Sequence, residues 1–202
     1  TDVSILETLL LDDRVDANIP SHKGVPPLVE FCGSLDGRDQ HVYLIDLFLS
    51  KPLNEQGIYT CSGCSPLWMQ RSTVIFLKLL QDPRFDPSRP TNGKLLLFTA
   101  LRKKPEILQA LLDYDRVDVN AQQNGMHILE AAAAQQQSKD ILRMILNCPR
   151  LELTDEKLRN VAHRIVQHKN LCSRIDCLVD LCQFSGLSAS ELITEADSAI
   201  IG

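Results

Sequence analysis

The feature that most constrains this chain is a recurrence of about 33 residues, because a period of that length reads as stacked helical units rather than as one closed core. Four segments align on an apolar helix end, an acidic or extended turn and a polar terminal residue. They are ILETLLLDDRVDAN ending at Asn18, LIDLFLSKPLN ending at Asn54, IFLKLLQDPRFDPS ending at Ser88, and ILQALLDYDRVDVN ending at Asn120. A fifth, ILRMILNCPRLELT, ends at Thr154. The ends lie 36, 34, 32 and 34 residues apart, which makes one period.

Each of the first four ends is followed by a glycine and a short apolar stretch: Gly24 before VPPL, Gly63 before CSPL, Gly93 before KLLL and Gly125 before MHIL. Glycine supplies positive φ in a tight turn, and proline suits a first helical turn, where its missing N–H costs nothing. Each unit therefore reads as turn, helix, short loop, helix. The second helices carry apolar residues at helical spacing, Ile107, Leu108, Leu111 and Leu112 in one and Ile141, Leu142, Ile145 and Leu146 in the next. One such pair cannot bury its apolar face alone, and stacked pairs make a continuous core. The expected fold class is all-α.

The turn glycine, the Pro-Leu helix start, the alanine-rich first helix, the leucine pair and the V-D-V-N ending together resemble the ankyrin repeat. The best copy runs from Val117 to Thr154, and the resemblance covers residues 5 to 154. The family's Thr-Pro-Leu-His survives as VPPL and CSPL and becomes LLLF and MHIL elsewhere, and its Gly-His between helices is missing. The resemblance implies an ankyrin-like helical solenoid with C-terminal capping helices. Residues 1–154 would form four to five degenerate units, the first truncated, and residues 155–202 the cap. The long step from Leu28 to Leu67, 39 residues against 30 from Leu67 to Leu97, places an extended inter-helix loop at Leu35 to His41. After Thr154 a capped helix is expected with Leu158, Val161, Ala162, Ile165 and Val166 inward. Another is expected from Leu171 to Phe184, with Ile175, Leu178, Val179 and Cys182 on one face. Ser188 and Glu191 form a capping-box signature for a last short helix.

Composition excludes several classes. Twenty-one Lys and Arg against 26 Asp and Glu give a net charge of −5, opposite to the basic footprint of a nucleic-acid binder. No apolar run approaches the length of a membrane span. Seven cysteines, an odd count without framework spacing, read as reduced thiols in a cytoplasmic protein. The missing initiator Met, and a start that already reads as the second half of a helical unit, point to a piece of a longer protein.

Chemistry-bearing patterns are sparse. Cys61 and Cys64 bracket Gly63 as C-x-x-C, for which structural thiols, a metal pair and a redox-sensitive pair are the open readings; no second ligand pair follows, so no metal site is assigned. His22, His41, His127, His163 and His168 lack a nucleophile context, and His127 stands where the family carries a Thr that hydrogen-bonds in the turn. No phosphate-cradling glycine motif occurs, so no cofactor is expected. Basic clusters at Arg102, Lys103 and Lys104, and at Arg159, His163, Arg164, His168, Lys169 and Arg174, read as solvated faces or as a docking surface for an acidic partner or an anionic headgroup.

The resemblance implies that partners dock on turn tips and exposed first-helix positions. By alignment the tips are His22, Lys23, Val25, Ser62, Cys64, Thr91, Asn92, Lys94, Gln123, Asn124 and Met126, and the helix positions are Trp68, Arg71, Arg102, Lys103 and Gln135. Trp68 reads either as core or as a bulky residue reaching the concave face. The expected function is a non-catalytic module that recruits or positions another protein, a monomer with no transmembrane segment. The alternative is an accessory wall of an enzyme active site completed outside the fragment. The degenerate repeats also look like those of ankyrin-containing effectors delivered into host cells by intracellular bacteria, which would imply the host cytosol.

Overall fold

The computed structural model describes residues 3–34, 41–70, 72–135, 138–167 and 171–193, with the backbone alone at 171–174. The chain divides into two compact units, residues 1–96 and 97–202. Among the described residues the regular structure is helical, and β-contacts are confined to isolated bridges at Thr91–Lys94 and Gln123–Met126.

The first unit contains α1 (Val3–Leu11), α2 (Pro27–Ser34), α3 (Val42–Ser50), α4 (Glu55–Ile58), α5 (Pro66–Met69) and α6 (Thr73–Gln81). Helices α1, α3 and α6 pack side by side in one row, while α2 packs against α4 and α5, and α5 against α6. Ser72 caps α6 by accepting from the Ile75 N–H at 3.2 Å, and Asn54 caps α4 through the N–H groups of Gln56 and Gly57. Leu44, Ile45 and Phe48 from α3 meet Ile75, Phe76 and Leu79 from α6 in a core without solvent exposure. Each such side chain stabilises the unit by roughly 1.5–3 kcal/mol. The Phe48 ring lies 5.6 Å from that of Phe31, tilted by 36°.

The second unit follows α7 (Leu96–Ala100), which begins at its border, with α8 (Pro105–Asp113), α9 (Ile128–Ala134), α10 (Lys139–Leu146), α11 (Asp155–Val166), α12 (Leu171–Ser185) and α13 (Ala189–Leu192). Helix α10 packs on α8, α9 and α12, and α11 on α9, α12 and α13. The four apolar residues expected inward on α8, and the four on α10, are all buried. The small side chains Ala131, Ala132 and Ala133 of α9 are buried too, which lets neighbouring helices approach closely. Thr154 caps α11 by accepting from the Lys157 N–H at 3.3 Å, and the five residues expected inward on α11 are the five that are buried. Glu191 accepts from both the backbone N–H and the hydroxyl of Ser188, closing the predicted capping box.

Two expectations need revision. Among the described side chains of α12 the buried ones are Cys177, Leu178 and Leu181, whereas Ile175 and Val179 are 48% and 47% exposed and Cys182 is half-buried. Contacts to α10, α11 and α13 select the inner face, and apolar periodicity cannot rank two apolar stripes on one helix. The extra length between Leu28 and Leu67 also has a second source. Three additional residues separate Asn54 from the turn at Thr60, and the segment they lengthen holds the four-residue α4. Of the loop at Leu35 to His41, only His41 lies within the described residues.

A recurrent device closes the helix ends. The last carbonyls of a helix have no partner within it, and a cation is favoured there. Lys51, after α3, donates from Nζ to Asp12 O at the end of α1 at 2.9 Å. Arg84, after α6, donates to Leu49 O and Lys51 O at the end of α3, while its Nε and Nη2 clasp Asp82 and hold that carboxyl below its ordinary value. Arg150, after α10, donates to Leu112, Tyr114 and Val117 carbonyls at the end of α8. The terminal asparagines do the same for the loops. Asn18 donates to Pro52 O and accepts from Asn54 N, and Asn120 donates to Arg150 O and accepts from Glu152 N.

Candidate interaction surface

The geometry of the glycine turns falls into two kinds. At 91–94 and 123–126 the outer residues exchange both backbone hydrogen bonds around Asn-Gly, with Asn92 and Asn124 at φ 51° and 54° and the glycines at 70° and 71°. Asn-Gly is the preferred pair for a two-residue turn with both central φ angles positive. The turns at 21–25 and 60–64 are one residue longer, and each closes with a second bond to the amide of Gly24 or Gly63. Thr60 stiffens its turn by accepting from Cys64 N through its hydroxyl at 3.0 Å.

In the first unit the three turns lie next to one another. The Thr91 hydroxyl donates to Gly63 O at 3.0 Å, and a carbon placed on Gly24 would lie 3.4 Å from the Cys61 sulfur. Of the residues expected on these tips, His22, Lys23, Ser62, Asn92 and Lys94 are exposed and Val25 and Cys64 half-buried. Thr91 is not a surface residue: it is 5% exposed, because its hydroxyl serves the neighbouring turn. Trp68 on α5 is half-buried, while Met69 beside it is exposed; Arg71 lies outside the described residues.

In the second unit Asn124 is exposed and Gln123 and Met126 are half-buried. Arg102 and Gln135, both expected on first-helix positions, meet directly, Arg102 Nε donating to Gln135 Oε1 at 3.0 Å. Lys103 is half-buried. Of the basic residues of the cap, Arg159 donates to Glu191 O and His163 contacts Gln167, while His168, Lys169 and the Arg174 side chain lie outside the described set.

His127 is a structural residue. It is 1% exposed, its Nδ1 accepts from Leu129 N at the start of α9, its own N–H donates to Glu130, and its Nε2 faces Asn120 Oδ1 at 3.4 Å. Burial, and then the charge of Lys157, lower its pKa. Among the described residues no three His, Cys, Asp or Glu side chains are gathered as metal ligands, so the C-x-x-C pair stands alone. Cys61 is exposed, whereas Cys32 is buried beneath α5 and its thiol is pushed up to about 12 by burial, opposed by a hydrogen bond from Gln70. No described helix is long and apolar enough to cross a membrane.

Sequence reasoning passed over Tyr59 and Arg89. The Arg89 guanidinium stacks on the Tyr59 ring, 4.1 Å from its centroid, and pairs with Glu55 at 3.3 Å. With Pro20, Gly24 and Cys61 these residues line an open recess of about 380 Å³ beneath the first two turns. The signal was available in part, since Arg89 lies two residues before a turn, but its partners lie in a different unit of the period.

No protein-family model matches the chain, and no curated protein matches it in sequence.

Proposed function

We propose that this chain is a non-catalytic protein-interaction module of the ankyrin-like kind, which holds a protein partner across its turn tips and first helices. The observation that carries the reading is the row of turns in the first unit. The Thr91–Gly63 hydrogen bond ties two of the exposed turns together and the Gly24 turn lies beside Cys61, so a partner meets a preorganised surface and loses little loop entropy on ordering it. The recurring order of glycine turn, short helix and longer helix supports the same reading, as does the inter-helix bracing by Lys51, Arg84 and Arg150. Such bracing suits stacked helical pairs, whose stability is a sum of nearest-neighbour terms. In this reading Trp68 is the aromatic anchor of the first unit, and Arg102, Lys103 and Gln135 are the contact positions of the second. The protein acts in the cytoplasm as a monomer and delivers the polypeptide that contains it to a protein target.

The test is quantitative capture from eukaryotic lysate by the chain and by a Trp68→Ala/Asn92→Ala/Arg102→Glu variant, after circular dichroism shows equal helicity. A specific partner lost by the variant supports the module. A partner kept by the variant moves binding elsewhere, and no specific partner refutes the reading.

A further inference from the structure

We propose that the turn row of the first unit receives an acidic, extended peptide segment, with carboxylates meeting Lys23 and Lys94. The inference rests on the interaction-module reading and names the chemistry of its partner.

The argument starts from which cations are already satisfied. Among the described Lys and Arg of the first unit, Arg14 pairs with Asp12, Lys51 with Asp13, Lys78 with Asp46, Arg84 with Asp82 and Arg89 with Glu55. Lys23 and Lys94 are the two without a carboxylate among the described residues, and both are exposed on turn tips. The three turn segments 19–25, 59–65 and 89–95 contain His22, Lys23, Arg89 and Lys94 and not one Asp or Glu. The chain as a whole has 26 acidic and 21 basic residues, so these segments are of opposite sign to its net charge. A local patch of opposite sign both recruits such a partner and sets where it lands.

Spacing sharpens the claim. Layers of packed helices are about 8–10 Å apart, so Lys23 and Lys94, two layers from each other, are separated by roughly 20 Å. An extended chain advances about 3.3 Å per residue, so its carboxylates should lie about six residues apart. Between them the exposed Ser62 hydroxyl and Asn92 amide offer donors to peptide carbonyls. A nucleic-acid strand fits less well, because phosphate-backbone binding draws on roughly 6–10 contacts and two free cations supply too few.

The probe is a fluorescein-labelled peptide with two Glu-Glu pairs six residues apart in a Ser/Gly/Asn background, read by anisotropy against the whole chain. Binding should weaken as salt rises, fall about tenfold for Lys23→Gln/Lys94→Gln and about threefold for either single change, and stay unchanged for Lys78→Gln, on α6 and away from the turns. Peptides with Gln for Glu, or with the pairs adjacent, should bind at least fivefold more weakly. Equal binding by the double variant, absence of binding at millimolar peptide, or tighter binding of a single-stranded oligonucleotide would each overturn the proposal. Running the same double variant in the lysate capture separates the two claims. A partner that still binds it, yet is lost by the Trp68-containing variant, removes the acidic-peptide inference and leaves the module reading standing.

Discussion

Arg150→Met isolates the helix-end bracing and is the sharpest stability test. Arg150 Nη1 donates to Val117 O at 2.8 Å, and Nη2 donates to Tyr114 O at 3.0 Å and Leu112 O at 2.5 Å. Leu112 lies in the last turn of α8 and Tyr114 and Val117 follow it, where no intrahelical donor is left for these carbonyls. A hydrogen bond to a charged group contributes about 1.5–3 kcal/mol net, with the lower end appropriate to a half-buried site where water can replace part of the loss. With two to three such bonds removed, Arg150→Met should cost about 3 kcal/mol, while Met preserves the apolar stem. Arg150→Lys should cost about half as much, because an ammonium can serve one carbonyl, as Lys51 does for Asp12. Urea unfolding followed by far-UV circular dichroism gives both values from the midpoint and slope. A loss below about 1 kcal/mol for Met, or equal losses for Met and Lys, would refute the account.

Gly57→Ala should destabilise by about 1–3 kcal/mol, since its new carbon would sit 2.3 Å from Asn18 Oδ1 and displace the bonds to Asn54 N and Pro52 O. The Asn18→Ala/Gly57→Ala double variant should cost little more than either single change, and simple additivity in a double-mutant cycle would contradict this. For His127 the folded pKa is depressed below 6.5, so the unfolded chain takes up the proton first and stability declines as pH falls through and below 6.5. Protonation also turns the Nδ1 acceptor of Leu129 N into a donor. The urea midpoint should drop between pH 7.5 and 5.5, and His127→Thr should flatten that drop; an unchanged slope would rule His127 out. Finally, alkylation at pH 8 with peptide mapping should label the exposed Cys61 promptly, and Cys32, with its thiol near 12 and buried, only on unfolding.

Local chemistry carried much of the fold into plain view. Gly93 and Gly125 follow Asn in two-residue turns because that pair tolerates two positive φ angles cheaply. Thr154 and Ser188 start helices because their side chains or partners satisfy orphan amides. The inward faces of α8, α10 and α11 were legible from 3.6-residue spacing alone. The candidate surface was legible only as positions: turn tips are tips by local rules, so His22, Lys23, Ser62, Asn92 and Lys94 could be named in advance.

What sequence could not decide is whatever depends on a neighbour from another part of the chain. Thr91 reads as a tip residue, but its hydroxyl is taken by Gly63 O, 28 positions earlier. Ile175 and Val179 belong to an apolar stripe by periodicity and still face solvent, because α10, α11 and α13 cover the other stripe. Arg84 and Arg150 look like surface charges in a polar turn, yet their value lies in carbonyls more than thirty residues away. Local propensity determines where helices start, stop and turn, since those choices involve atoms within a few residues. Which cations are satisfied, which apolar stripe is buried and which turns stand side by side are set by long-range packing, and only the tertiary structure shows that, among the described residues of the first unit, Lys23 and Lys94 are the cations without a carboxylate.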